Sequence, residues 1–315
     1  MLIAKLIFSA KRQKVSAFSP QPSALAGSGF TLVEVMVVVV LLSLIVYALM
    51  MVFSSTQAAF RSGVTQAGVL DDGRAAMDLM ASDLRAMAPS FGQSNLNTGA
   101  VNFYAAVTTC VSPPSPLYQP MVGGSSTRAN TLENIFILSR GSQNGVPTWY
   151  GVGYAVTNWP SGSLYSLYRF NASTNIQADP IALFNAFTYD VYFGHWTNMS
   201  HLMDGVVALT MHPYDVNGGQ MTNSVTYSGG QYVTNENVFY LLPALGQVGF
   251  VMFSNTLPAS VEVEMGVLED RALQRADSLN FSLQAQSNYL SGAAGAVHVF
   301  RQRVTIPNVD PSAYQ

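Results

Sequence analysis

The apolar positions along this chain follow two regimes near its start and a third beyond residue 130. From Val35 to Phe53 the run is nearly unbroken, interrupted only by Ser43 and the hydroxyl of Tyr47. As a helix it would extend roughly 28 Å, about the thickness of a bilayer's hydrocarbon core. Further on, Phe60, Val64, Ala67, Leu70, Met77, Met80, Leu84 and Met87 recur at steps close to three and four, which predicts a continuing helix with one apolar face. Gly63, Gly68 and Gly73 each weaken that helix by roughly 1 kcal/mol relative to alanine, so bends or frayed turns are expected there. "MAPSFG" (87–92) ends it, because Pro89 biases Ala88 away from helical backbone. The pattern therefore predicts one long helix from about residue 30 to 88.

Residues 90–130 are rich in Ser, Asn, Gly, Thr and Pro and read as a loop-rich connection, with "NFYAAV" (102–107) a short strand inside it. Strand-like runs then follow one another: "NIFILS", "WYGVGYAV", "LYSLYRF", "FTYDVYF", "GVVALTM", "NVFYLL", "GQVGFVMF" and "SVEVEMGVLE". Turn clusters such as "GSQNG", "NWPSGS" and "DVNGG" separate them, so an antiparallel sheet or two sheets packed on the helix is expected, an α+β fold. In "LPASVEVEMGVLE" (257–269), Val261, Val263, Met265 and Val267 alternate with mostly polar neighbours, a half-exposed strand. "EDRALQRADSLNFSLQAQSNYLSG" reads as helix and "AVHVFRQRVTIPN" as strand.

Composition narrows the function classes. Only 10% of residues are charged and the net charge is −3, with no basic block beyond the first residues, so no electrostatic footprint for nucleic acid is present. Cys110 is the single cysteine and cannot form an internal disulfide. Low charge with many Tyr, Asn, Gly and Thr suits an exported, strand-rich domain.

The charges near the start orient the apolar run. Lys5, Lys11, Arg12 and Lys14 precede it without any acid, which puts the N-terminus in the cytoplasm and the residues after about 54 outside. A secretory signal carries its small residues after a shorter apolar stretch. Here Ala26, Gly27, Ser28 and Gly29 come before the run, so a cut there leaves the run on the mature protein. Glu34 sits at the mouth of the run with no Lys or Arg within reach on the same helix. A cut between Gly29 and Phe30 would create an α-amino group close to that carboxylate. On a neighbouring, axially shifted copy the amine could meet the acid directly, and a wrong stagger would leave the acid unpaired.

The stretch Gly29-Phe30-Thr31-Leu32-Val33-Glu34-Val35 resembles the class III signal of type IV prepilins and type II secretion pseudopilins. The resemblance implies a prepilin peptidase that cuts between Gly29 and Phe30 and methylates Phe30, with Glu34 taking part in assembly. It implies a pilin-like fold, in which the long hydrophobic helix packs on an antiparallel β-sheet domain. Its partners would be other pseudopilins or pilins, met through that helix. The protein would sit in the bacterial inner membrane with a periplasmic C-terminal domain, then in a filament. The layout expected is a basic leader over 1–29, the long helix over 30–89 with its membrane part to about 53, a connection over 90–130, a β-rich domain over 131–268, and a helix–strand extension over 269–315. "DDGRAAMDLMASDLRAM" (71–87) and the 257–269 strand resemble parts of large, J-type minor pseudopilins. A tip-located, J-like subunit of a type II secretion pseudopilus is thus the first reading, and a minor type IV pilin of a pilus or DNA-uptake system the second. An uncleaved single-pass membrane protein with a periplasmic binding domain and an exported, carbohydrate-active enzyme are the rival classes.

Candidate chemistry elsewhere is sparse. His195, His201, His212 and His298 are scattered without metal-ligand spacing, and no nucleophile, phosphate-loop or dinucleotide motif occurs, so no catalytic or cofactor-binding residue is expected. In "YDVNGG" (214–219) Asp215 and Asn217 have the oxygen spacing of a calcium loop but lack its later ligands, and a hairpin turn is the first reading. Asp71, Asp72, Asp78 and Asp83 are expected on the extracellular part of the helix, as a solvated face by default and a docking face for another subunit as the alternative, with Arg74 spaced to pair with Asp71 or Asp78.

Overall fold

The computed structural model describes residues 30–92, 99–108, 111, 113, 116–121, 126–158, 164–221, 227–228, 231–235, 238–244 and 247–314. The chain divides into two compact units, 1–58 and 59–315. One helix, α1 (Leu32–Arg85), begins in the first and ends in the second.

In the first unit the large apolar side chains from Leu32 to Phe53 are all exposed. The helix reaches a mean hydropathy of 3.0, and by length and composition it is apolar enough to cross a membrane. In the second unit α1 turns one-sided. Val69, Gly73, Ala76, Met77, Met80, Ala81 and Leu84 are buried at three- and four-residue steps. Phe60, Val64 and Ala67, expected on the same face, are exposed.

The helix also runs unbroken through Gly63, Gly68 and Gly73, contrary to the expected bends. For Gly73 the reason is packing: a Cβ there would lie 2.4 Å from Cζ of Phe300, so the missing side chain lets that ring rest on the helix. α1 stops at Arg85, four residues ahead of Pro89, because the sheet takes over the backbone. Met87 pairs with Ser139, and the Ala88 N–H donates to the Leu138 carbonyl at 3.0 Å.

The strands are β1 (Val101–Val107), β2 (Leu117–Pro120), β3 (Thr127–Asn130), β4 (Glu133–Gln143), β5 (Val146–Thr157), β6 (Ser166–Asn175), β7 (Ser200–Met203), β8 (Val206–Tyr214), β9 (Tyr227–Ser228), β10 (Gln231–Asn235), β11 (Val238–Ala244), β12 (Gln247–Phe253), β13 (Ser260–Leu268) and β14 (Val297–Thr305). Three helices join them: α2 (Ile181–Phe193), α3 (Asp270–Asp277) and α4 (Leu283–Gly292). A nine-stranded antiparallel sheet runs β7-β6-β5-β4-β1-β12-β11-β10-β9, a three-stranded one β14-β13-β8, and β2 pairs with β3. The α+β, pilin-like arrangement expected from the sequence is the one observed.

The large sheet is covered on both faces at the first half of β4. Ile135 and Ile137 join a core with the buried face of α1 and the three-stranded sheet. Phe136 and Leu138 join a second core with Leu183, Phe187 and Val191 of α2. That helix corrects a sequence expectation, since "FTYDVYF" (187–193) alternates like a strand but is the end of α2. Leu183, Phe187, Asp190 and Val191 form its buried face. The Asp179 carboxylate accepts the Ile181 N–H at 3.0 Å to start it, and left-handed Gly194 ends it. Gly151 and Gly153 of β5 make room, because a Cβ at either would collide with Leu183 or Phe187.

The segments flanking the β domain also enter the sheets. From 90–130 comes β1, the fifth strand of nine, and from 269–315 comes β14, which pairs with β13 from Ser260↔Thr305 to Leu268↔Val297. In the strand expected at 257–269 Val261, Val263, Met265 and Val267 are all buried as the alternation implies, but the other face is half-buried only at Glu262 and Glu264 and is buried at Gly266 and Leu268.

Candidate functional site: the start of the long helix

Phe30 and Thr31 precede α1, and Phe30 is exposed. Gly29 lies outside the described residues. The four N–H groups that open any helix lack intrahelical partners, and here Thr31 and Glu34 answer for part of that deficit. The Thr31 hydroxyl accepts the Glu34 N–H at 3.3 Å, while the Glu34 carboxylate accepts the Thr31 N–H at 3.0 Å and its hydroxyl at 2.9 Å. With Leu32 as the first helical residue, this is a reciprocal capping box. Thr31 was not singled out from the sequence, yet the T-x-x-E spacing ahead of an apolar run was the signal for it.

Glu34 therefore has a local role as well as the expected one in assembly. Both bonds from Thr31 end on the same oxygen, Oε2. The other oxygen takes no hydrogen bond from the described residues. A carboxylate in the first turn also meets the positive end of the helix dipole, which lowers the cost of placing it beside an apolar run. The arrangement can hold one negative charge in a fixed direction at the head of a membrane-length helix.

Residues 27–50 match the family model of the prokaryotic N-terminal methylation motif. This is a prepilin-type N-terminus. The prepilin-type motif carries with it processing by prepilin peptidase and assembly with other pilins, and the apolar helix behind it is compatible with anchoring in the inner membrane. The motif and the long apolar helix are consistent with a type IV pilin-like protein. No curated protein and no solved structure matches the chain.

The remaining candidates fall apart as sites. Asp83, expected on a solvated face, is an internal anchor instead. It takes a two-pronged bond from Arg169 of β6, Nε at 2.9 Å and Nη2 at 3.0 Å, and a short bond from the Tyr154 hydroxyl of β5. Burial and the Asp83 charge push the Tyr154 hydroxyl far up, so it remains a neutral donor. Asp71 pairs with Arg74 at 3.8 Å, both exposed.

Asp215 sits in the hairpin turn, where its Oδ1 accepts the N–H groups of Asn217 at 2.9 Å and Gly219 at 2.7 Å. That leaves Asn217 as a turn partner. Among the described residues no three His, Cys, Asp or Glu side chains come together in a way that could hold a metal. The histidines rest on neighbours: His195 on Asp190, His201 on Asp204, His298 on Glu269, and His212 near Gln220. Cys110 lies outside the described residues.

Sequence reasoning passed over two buried acids, Asp190 of α2 and the more deeply buried Glu133. Glu133 opens β4 where the two larger sheets meet, and its carboxyl accepts the Met211 N–H of β8 at 2.8 Å. Burial pushes it up to about 8 against the opposing pull of that bond, so it is mostly protonated at neutral pH.

Proposed function

We propose that this chain is a structural, non-enzymatic subunit of the J-like, minor pseudopilin kind, placed at the tip of a type II secretion pseudopilus. Prepilin peptidase cuts between Gly29 and Phe30 and methylates the new amino group. Assembly then proceeds through the apolar part of α1, and the domain from residue 59 onward meets other subunits or cargo. The observation that carries this reading is the match of residues 27–50 to the methylation motif, with Glu34 fixed at the head of an exposed helix long enough to span a bilayer. The strand at 257–269 and the size of the domain favour the J-like assignment over a minor type IV pilin.

The test is processing. In cells with prepilin peptidase the protein should lose a leader and carry an N-methylated Phe30, as read by mass spectrometry. Gly29→Ala, or removal of the peptidase, should leave the precursor uncut. A mature mass unchanged without the peptidase overturns the reading. Loss of secretion with intact pili, on deleting the gene, separates the pseudopilus role from the pilus role.

A further inference from the structure

The second unit presents a cluster of aromatic rings to solvent at the C-terminal end of α2. Tyr192 is 80% exposed, Phe193 59% and Tyr189 53%. Ring centroids lie 4.6 Å apart for Tyr189–Phe193 and 5.1 Å for Tyr192–Phe193, and His195 stacks beside Phe193 at 6.3 Å. These rings border a groove of about 530 Å³ between α2 and the ends of β1 and β4. That volume lies in the range of small-molecule pockets.

The platform is rigid. Leu183, Phe187 and Val191 anchor α2 in the core, and Gly151 and Gly153 let it seat closely on β5. Phe184 adds to the anchoring, edge-on to Tyr104 at 5.1 Å and to Phe136 at 5.3 Å.

The lining decides the ligand. Besides the aromatic rings it offers Asn134, Asn185 and Thr188, and among the described residues that line it none carries a formal charge. An ionic ligand would surrender its hydration there without a counter-charge. The carboxamide oxygen of Asn134 is buried and has no hydrogen-bond partner among the described residues. Flat apolar rings beside neutral amides and hydroxyls suit a molecule with an apolar face and a polar rim. A pyranose ring has both, its C–H face for the aromatic rings and its hydroxyls for the amides.

We propose that the groove beside α2 binds an uncharged oligosaccharide, with Tyr192 and Phe193 stacking on sugar faces and Asn185 and Thr188 bonding their hydroxyls. This goes beyond the role in assembly and does not depend on cleavage at Gly29.

The test uses full-length protein in a sugar-free zwitterionic detergent. It is titrated with maltohexaose, cellohexaose and chitohexaose, read by calorimetry and by saturation transfer from aromatic protons to the sugar. At least one should bind saturably. Preference for chitohexaose indicates an N-acetylated cell-wall glycan as the source, and preference for the other two a free or secreted glucan. Tyr192→Ala and Phe193→Ala should each weaken binding about tenfold or more, while Tyr118→Ala, another exposed tyrosine, leaves it unchanged. Unaltered melting curves show that the exposed-ring variants are folded. Absence of binding by all three sugars at millimolar concentration overturns the proposal. So does wild-type affinity in both ring variants. A photo-crosslinker at Tyr192 that captures another subunit, in a protein that binds none of the sugars, makes the groove a protein interface and equally defeats it.

Discussion

Residues 30–58 and residues 59–315 treat the same kinds of side chain in opposite ways. In the first stretch valines and leucines stand exposed along a bare helix, and in the second they disappear into two cores on either face of a sheet. The acids of α1 follow the same division. Glu34 is satisfied by Thr31, three residues away in the chain, whereas Asp83 is satisfied by Arg169, 86 residues away. The first arrangement needs no tertiary fold and is complete in a short motif. The second exists only once the sheet has formed. The N-terminal stretch leaves its apolar surface to be covered from outside the chain, which the proposed function assigns to lipid and other subunits, while the second region buries most of its apolar side chains in its own cores.

The sharpest way to break that comparison is to keep the local role of Glu34 and remove its charge. Glu34→Gln preserves a capping box, because glutamine serves at that position as glutamate does. If the acid acts only within its own chain, filaments should form normally. The expected outcome is loss of assembly with membrane insertion and processing intact, measured as the amount of the subunit in sheared filament fractions. Normal assembly of Glu34→Gln would reduce the acid to a helix cap.

The packed region has its own acid out of place, and it yields the next largest effect. Glu133 titrates near 4.5 when unfolded and at about 8 when folded. The folded state therefore binds the extra proton between those values. Its stabilising contribution is full below about pH 4.5 and is lost as pH rises toward about 8. The decline is about 1.4 kcal/mol per pH unit at most. Glu133→Gln keeps the acceptor for Met211 and cannot ionise. Denaturant unfolding across this range should show a slope in the native protein and a flatter, higher stability in the variant.

Legibility from sequence follows the same line between the two regions. The methylation motif, the membrane-length run and the charge bias are local facts, and they could be read directly. So could most strands, because runs rich in β-branched and aromatic residues are set off by turn clusters, as in β4, β5 and β12. The helix α2 was misread because Phe187, Tyr189, Val191 and Phe193 happen to alternate. Its true signals, Asp179-Pro180 at the start and Gly194 at the end, lay at the edges of the run. Burial of Asp83, exposure of Phe60 and Val64, and the fit of Phe300 over Gly73 depend on partners far along the chain, which no local pattern encodes. Glu133 was hidden for the same reason: its burial comes from β8, some 78 residues away.

Arg169→Ala probes the long-range pair. It strands the Asp83 carboxylate, 14% exposed, beside the Tyr154 hydroxyl. Breaking such a pair from one side should cost about 3 kcal/mol, toward the low end for buried pairs because both groups keep some contact with water. Denaturant unfolding of the full chain checks it, and a double-mutant cycle with Asp83→Asn should recover part of the loss. The apolar stretch before residue 58 should insert in membranes as before.

Thr31→Ala gives the smallest effect and the finest cut through the comparison. It removes the hydroxyl that accepts the Glu34 N–H and that donates to Glu34 Oε2, yet leaves the Thr31-position N–H bond to that carboxylate in place. Losing such a cap costs about 1 kcal/mol of helix stability. Only the first turn feels it, so hydrogen exchange should quicken at residues 32–34 and stay unchanged from Val69 to Leu84. Because the carboxylate keeps its charge, assembly should be slowed rather than abolished. An assembly defect as complete as that of Glu34→Gln would mean that the direction in which Thr31 holds the acid matters as much as the charge itself.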